Sequence, residues 1–215
     1  MKRRIVLLGP PASGKGTLAD RLHAEYHLPT ASPGAMLRGE LAAGTPLGIG
    51  AANQTKAGKL VGDEIINAAV RVWLAHEPGD GFVFDGYPRT LGQATALDAM
   101  LGQRQQPLDA ALLLEASLET LRSRVELRAT CTKCANIVTI GVHVASAKDN
   151  CPRCNGPLRR RDDDNAETLE HRFQEYAGKT APVIGYYEKR NILERVNTER
   201  SPEAVFESVR ELLKN

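Results

Sequence analysis

The sequence predicts an α/β protein built on a parallel sheet with helices on both faces, and three observations predict it. Short apolar runs at 4–8, 81–85, 110–115 and 193–197 alternate with stretches of helical periodicity, as βαβ units require. The first run, Ile5-Val6-Leu7-Leu8, is uninterrupted, as a strand covered on both faces must be. It leads directly into Gly9-Pro-Pro-Ala-Ser-Gly14-Lys15-Gly16-Thr17, and Leu18, Leu22 and Tyr26 then recur at helical spacing.

The strand, glycine-rich loop and helix together form a phosphate cradle. Backbone N–H groups curl around an anion, the helix N-terminus adds its positive end, and Lys15 supplies a full charge. The general motif places Ser or Thr directly after the lysine; here Gly16 intervenes before Thr17.

Length and charge narrow the classes. The 215 residues suffice for one sizeable domain with insertions. A net charge of +2, from 28 basic and 26 acidic residues, points to no polyanionic partner and so to no nucleic acid. No apolar run approaches the roughly 18 residues of a membrane span. The N-terminus reads as a first strand rather than a signal peptide, so a reducing cytoplasm is expected, with the cysteines as thiols or metal ligands.

Later elements follow the same alternation. Pro182 is expected to kink or end a long helical stretch that begins near Glu167. The last helix is expected to open on Ser201 as N-cap with Pro202 at its first position, and to bury Val205, Val209 and Leu212. Two stretches break the pattern. Residues 32–61 are rich in Gly and Ala, and residues 127–164 hold all four cysteines. Both suit insertions on the ligand-binding side of an open sheet, where closing segments are found.

Gly81-Phe-Val-Phe-Asp85-Gly86-Tyr87-Pro88-Arg89-Thr90 reads as a buried strand ending in an acid, followed by a rigid turn that presents Arg89. An aspartate at such a strand end can hold Mg²⁺ directly or through its waters. Cys131-x-x-Cys134 and Cys151-x-x-Cys154, 16 residues apart, have four-thiolate zinc spacing. Four thiolates leave no open coordination position, so the metal is expected to be structural; disulfides or unligated thiols are the alternatives. The five histidines show no ligand spacing and read as structural or surface groups, and Trp73 as a packing residue.

With these motifs in place, the chain resembles the adenylate kinases of the nucleoside-monophosphate kinase family. The carrying residues are GPPASGKGT at 9–17, GKLV at 58–61, FDGYPRT at 84–90 and Gln93. SRVELR at 123–128, RRRDDDNAET at 159–168, Arg172 and TAPVIGYY at 180–187 complete the match. Gly16 fits too, since loops of this family typically read Gly-Lys-Gly-Thr. The resemblance implies a P-loop NTPase-like, five-stranded parallel sheet flanked by helices. Three bodies are expected: a core of 1–31, 62–126 and 165–215, a helical monophosphate-binding insertion at 32–61, and a zinc-ribbon-like lid at 127–164.

The family's functional residues carry over by motif. Ala12, Ser13, Gly14, Lys15, Gly16, Thr17, Arg124, Arg128 and Arg200 are expected at ATP. Arg38, Lys59, Leu60, Val61, Gly86, Tyr87, Pro88, Arg89 and Gln93 are expected at AMP. Arg161 and Arg172 would bridge the transferred group. Lys15, Arg89, Arg128, Arg161 and Arg172 form the expected catalytic set, with Asp85 and Asp163 holding magnesium through water. The implied activity is reversible, Mg²⁺-dependent transfer from ATP to AMP giving two ADP, by a monomer serving adenine-nucleotide homeostasis.

The chemistry agrees. Such a transfer brings two polyanions together and needs alignment and charge neutralisation more than a base, and arginine is the planar, bidentate partner for phosphate. The chain departs from the family at Ser32-Pro33-Gly34-Ala35-Met36-Leu37-Arg38, where Thr and Asp usually stand in place of Pro33 and Ala35. An altered or relaxed monophosphate preference is therefore an alternative. A zinc-ribbon nucleic-acid-binding protein with a nucleotide switch is a second, resting on Arg159-Arg160-Arg161, whose charge Asp162-Asp163-Asp164 cancels. An inactive paralogue is a third.

Overall fold

The computed structural model describes residues 1–45, 49, 61–76, 79–134, 136–141, 143–160 and 166–214, setting aside the side chains of 38, 41, 42, 166 and 167. The elements run β1 (Arg4–Leu8), α1 (Lys15–Tyr26), β2 (Thr30–Ala31), α2 (Pro33–Ala42), α3 (Asp63–His76), β3 (Phe82–Asp85) and α4 (Leu91–Gln103). They continue with β4 (Ala110–Glu115), α5 (Leu118–Glu126), β5 (Arg128–Cys131), β6 (Ile137–Thr139) and β7 (Leu158–Arg159). The chain ends with α6 (Ala166–Glu175), a π-helical turn (Tyr176–Thr180), α7 (Ala181–Glu188), β8 (Leu193–Asn197) and α8 (Pro202–Lys214).

The main sheet is parallel throughout, in the order β2-β3-β1-β4-β8. It is the expected five-stranded sheet. The two-residue β2 is the strand that periodicity did not reveal, being too short to show a pattern.

Alternation along each strand divides the core into two layers. Val6, Leu8, Phe82, Phe84, Ala111 and Leu113 pack with Val70 and Leu74 of α3, Leu97 and Leu101 of α4, and Val183 and Tyr187 of α7. Ile5, Leu7, Val83, Ala110, Leu112 and Leu114 face the other way, against Leu18 and Leu22 of α1 and Val205, Val209 and Leu213 of α8. Both faces of β1 are thus buried, which explains its unbroken apolar run. Trp73 packs edge-on to Phe84 at 5.3 Å between ring centroids, in its expected packing role.

At the edge of the sheet opposite the phosphate loop, Asp109 accepts from the N–H groups of Arg3 and Arg4, both at 2.9 Å, and pairs with the Arg4 guanidinium at 2.5 Å. Burial works against its charge, but these donors hold its carboxyl below the usual range.

Two expectations are refined. Ser201 does cap α8, its Oγ accepting from the Ala204 N–H at 3.3 Å, but Leu213 and Phe206 are buried whereas Leu212 is only partly so. Pro182 neither ends nor simply kinks the helix. The interruption falls just before it, as a π turn in which the Ala181 N–H reaches the Tyr176 carbonyl. Proline cannot donate and its ring crowds the carbonyl four residues earlier, so the turn ahead of it is where the ladder yields.

A separate antiparallel sheet, β6-β5-β7, lies within 127–164 and carries the cysteines. No described helix is long and apolar enough to cross a membrane.

Candidate active site

The phosphate loop joins β1 to α1 at the C-terminal edge of the sheet. Gly9 has φ +143°, and a Cβ there would lie 2.6 Å from the Leu114 carbonyl and 2.7 Å from Ser13 Oγ, so only glycine fits between β1 and β4 at this point. Ala12 also has positive φ, at 64°, an uncommon conformation for a residue with a side chain. Gly14 caps α1 with no side-chain bond, so the first N–H groups of the helix have no capping acceptor. Unclaimed donors at a helix start are what an anion requires.

Lys15 Nζ donates to the carbonyls of Gly9 at 2.9 Å and Pro10 at 2.8 Å. Desolvation lowers its pKa from 10.5 to about 7. Asp85 opposes that shift, while the positive charges of Arg89, Arg172 and Arg128 reinforce it. Charges from the β3–α4 turn, β5 and α6 therefore act on Lys15 across as many as 157 residues of sequence. Asp85 ends β3 beside the loop, its Oδ2 3.5 Å from where a Cβ on Gly16 would stand. Ile137 of β6 comes within 3.8 Å of the same point, so the small sheet overhangs the loop.

Arg89 is held by its own turn. Its Nε donates to the Gly86 carbonyl at 2.8 Å, its N–H to Gln93 Oε1 at 2.7 Å, and its carbonyl accepts from Thr180 Oγ1 at 3.0 Å. The Tyr87–Pro88 peptide is cis. Tyr87 is buried, its hydroxyl donating to Asn67 Oδ1 at 2.8 Å. Val61 is buried in the layer under α3.

Arg124 and Arg200 each hold a contact around the end of β8. Arg124 donates through Nη2 to the Thr198 carbonyl, drawing α5 to the loop after β8, and Arg200 donates to Ser208 Oγ at 3.2 Å. Glu199 in that loop accepts from the Ser117 N–H at 2.8 Å, closing the same junction. Lys59, Leu60, Arg161 and Asp163, and the side chain of Arg38, lie outside the described residues.

Sequence reasoning did not find Asp63, Asn67, Thr180, Thr198 or Glu199. Asp63 and Glu199 are acids among 26, and nothing in spacing sets them apart.

The four cysteines form one cluster. All four Sγ atoms lie within 4.8 Å of one another, with Cys131–Cys154 at 3.5 Å and Cys134–Cys151 at 3.8 Å. A tetrahedral ion with metal–sulfur bonds of about 2.3 Å needs sulfurs about 3.8 Å apart, so the donor set fits. None is in a disulfide. Two of the sulfurs have N–H donors aimed at them: the Lys133 N–H at Cys131 Sγ and the Asn136 amide at Cys151 Sγ. Burial opposes ionisation of Cys151, but the N–H groups of Arg153 and Cys154 and the Asn136 amide outweigh it, bringing its pKa to about 6.

Known proteins agree with this geometry. A family model described as adenylate kinase matches residues 7–192. The chain is 39% identical over 207 residues to an adenylate kinase of Thermodesulfovibrio yellowstonii, covering 96% of each. It is 42% identical over 212 residues to one from Pseudothermotoga lettingae, covering 98% of each, and 37% identical over 211 residues to one from Archaeoglobus fulgidus, covering 97% of each. A phosphate loop between β1 and α1, a four-thiolate cluster and full-length similarity converge on one conclusion: the chain belongs to the adenylate kinase family.

Proposed function

We propose that the chain catalyses ATP + AMP ⇌ 2 ADP with Mg²⁺ and so buffers the adenine nucleotides of a reducing cytoplasm. The observation that carries this reading is Lys15 in the phosphate loop, with Asp85 beside it and the charges of Arg89, Arg128 and Arg172 acting on it. ATP would enter with its phosphates on residues 12–17 and its base near Arg124 and the 198–200 loop. AMP would lie opposite, gripped by Arg38 and Arg89, with Lys59 to Val61, Gly86 to Pro88 and Gln93 around it. Arg128 and Arg172, with Arg161, would neutralise the group in transit. Alignment and charge cancellation supply the catalysis, since the attacking phosphate oxygen is already ionised at neutral pH.

Bound magnesium would supply charge at the ATP phosphates; Asp85, which ends β3 beside the loop, would hold its waters, and Asp163 is carried over from the sequence motif alone. Zinc on Cys131, Cys134, Cys151 and Cys154 would stabilise a lid at 127–164 too small to build its own core. The remaining division is a core of 1–31, 62–126 and 165–215 and a monophosphate-binding insertion at 32–61. One chain contains every group the reaction needs, in keeping with a monomer.

One observation favours a second reading. Pro33 is the first residue of α2 and has no N–H, and Ala35 follows without a carboxylate, so the monophosphate pocket opens on an altered turn. Altered or relaxed monophosphate preference follows if these losses affect the base. A coupled assay over AMP, GMP, CMP and UMP decides. AMP is expected to give the highest kcat/KM, and poor AMP turnover beside another good substrate overturns the assignment.

A further inference from the structure

Gln93, in the first turn of α4, is only 2% exposed, and each end of its carboxamide meets a group that can act in one sense only. Oε1 accepts from the Arg89 N–H at 2.7 Å, and Nε2 donates to Asp63 Oδ1 at 2.8 Å. A backbone N–H only donates and an ionised carboxylate only accepts, so the amide cannot be turned over without setting like against like at both ends.

Asp63 is held in turn. Its Oδ2 accepts from Thr90 Oγ1 at 2.6 Å, and that hydroxyl accepts from the Gln93 N–H at 3.1 Å. A Cβ on residue 92 would stand 2.9 Å from Oδ2, so Gly92 leaves the room the carboxylate needs. Asp63 is also the first residue of α3, directly behind the 32–61 segment.

We infer that Asp63 is a specificity-determining positioning residue: by locking the Gln93 carboxamide in one sense, it fixes which purine the monophosphate site accepts. This rests on the reading that Gln93 faces the monophosphate base. With one N–H and one lone pair committed, the carboxamide retains one donor and one acceptor in fixed order. The pairing edge of adenine offers an acceptor at N1 and a donor at N6; guanine offers a donor at N1 and an acceptor at O6. A locked carboxamide matches one of these orders, whereas one free to flip serves both.

Asp63→Asn keeps the shape and removes the lock. With its oxygen on Thr90, the new amide presents N–H to Gln93, which must turn its oxygen toward it and then meets Arg89 donor to donor. Steady-state kcat/KM for AMP and GMP, with the KM for ATP as control, is measured for wild type, Asp63→Asn, Gln93→Leu and the double variant. Asp63→Asn is expected to lower the AMP:GMP ratio about tenfold, the worth of one hydrogen bond of ordinary strength, and to move the ATP KM less than twofold. On the Gln93→Leu background it is expected to change the ratio less than twofold, because Asp63 acts through Gln93. Gly92→Ala, which crowds Oδ2 and alters no polar group, is expected to lower the same ratio a few-fold and covers the case in which Asp63→Asn fails to fold. Equal losses for AMP and GMP, or effects that multiply in the double variant, overturn the inference alone. A wild-type enzyme indifferent to the base, seen before any variant is made, overturns the inference together with the reading of Gln93.

Discussion

Lys15 is a cation placed where cations already crowd, and burial brings its pKa to about 7. On the proposed reading, ATP phosphates would restore its charge, so binding would take up a proton. At pH 8 the nucleotide phosphates are fully ionised and the uptake from Lys15 stands alone. Calorimetry in two buffers of different ionisation enthalpy is expected to show uptake approaching one proton at pH 8 and falling towards zero below about pH 6. Release of protons, or uptake that grows on acidification, would contradict the assigned environment. The stability linkage has the same origin. Between about pH 7 and the ordinary lysine value of 10.5, the unfolded chain holds this proton and the folded one does not, so the contribution of Lys15 to stability rises with pH across that window. The sequence marks this lysine as an expected phosphate ligand. Its depressed pKa was not legible, because burial of the ammonium, and then the charges of Arg89, Arg172 and Arg128, come only with the fold.

Among the elements, the small sheet has the least apolar support, with Ala129, Cys131 and Val138 its buried residues within β5 and β6. The cysteine cluster stands in for a core. Cys154→Ser is expected to remove about one zinc per chain, read by metal analysis, and to lower Tm by about 5 °C or more, with the main sheet keeping its circular-dichroism signal. Unchanged metal content would show that the thiols do not hold the ion. This site was readable from spacing alone, since a C-x-x-C pair carries its own geometry. The arginine turn was only half readable. The motif pointed to Arg89 and to Gln93 four residues on, but Thr180 of the π turn reaches the Arg89 carbonyl only through how α7 packs, and no local pattern encodes that. Asp63 shows the same limit, for its partners lie 27 and 30 residues away.

For the whole molecule, the layer structure was the most legible property. Each apolar run became a strand, and odd and even residues of β1 and β4 divide between the two layers because a strand alternates its faces. The strand order was not legible in periodicity, which carries no pairing information. The order matters to function because β1 lies between β3 and β4. The phosphate loop and Asp85 therefore emerge side by side at one edge of the sheet.

The π turn at Tyr176–Thr180 has a consequence best expressed as angular phase. Arg172 lies on one side of it and Thr180, which holds the Arg89 carbonyl, at its other end. A helix that drops one residue turns everything beyond the cut by about 100°. Deleting Gly178 would convert the wide turn to an ordinary one and swing Arg172 about a quarter of a circle from the phosphate loop, leaving α7 seated by Val183 and Tyr187. The deletion variant is expected to unfold cooperatively and still bind ATP, with kcat down at least about a hundredfold, on the scale of losing a charge-stabilising group. Wild-type kcat in that variant would mean that Arg172 has no fixed azimuth. On the proposed reading, the extra residue in this turn would work as a timing mark, setting the azimuth of Arg172 relative to the turn that holds Arg89.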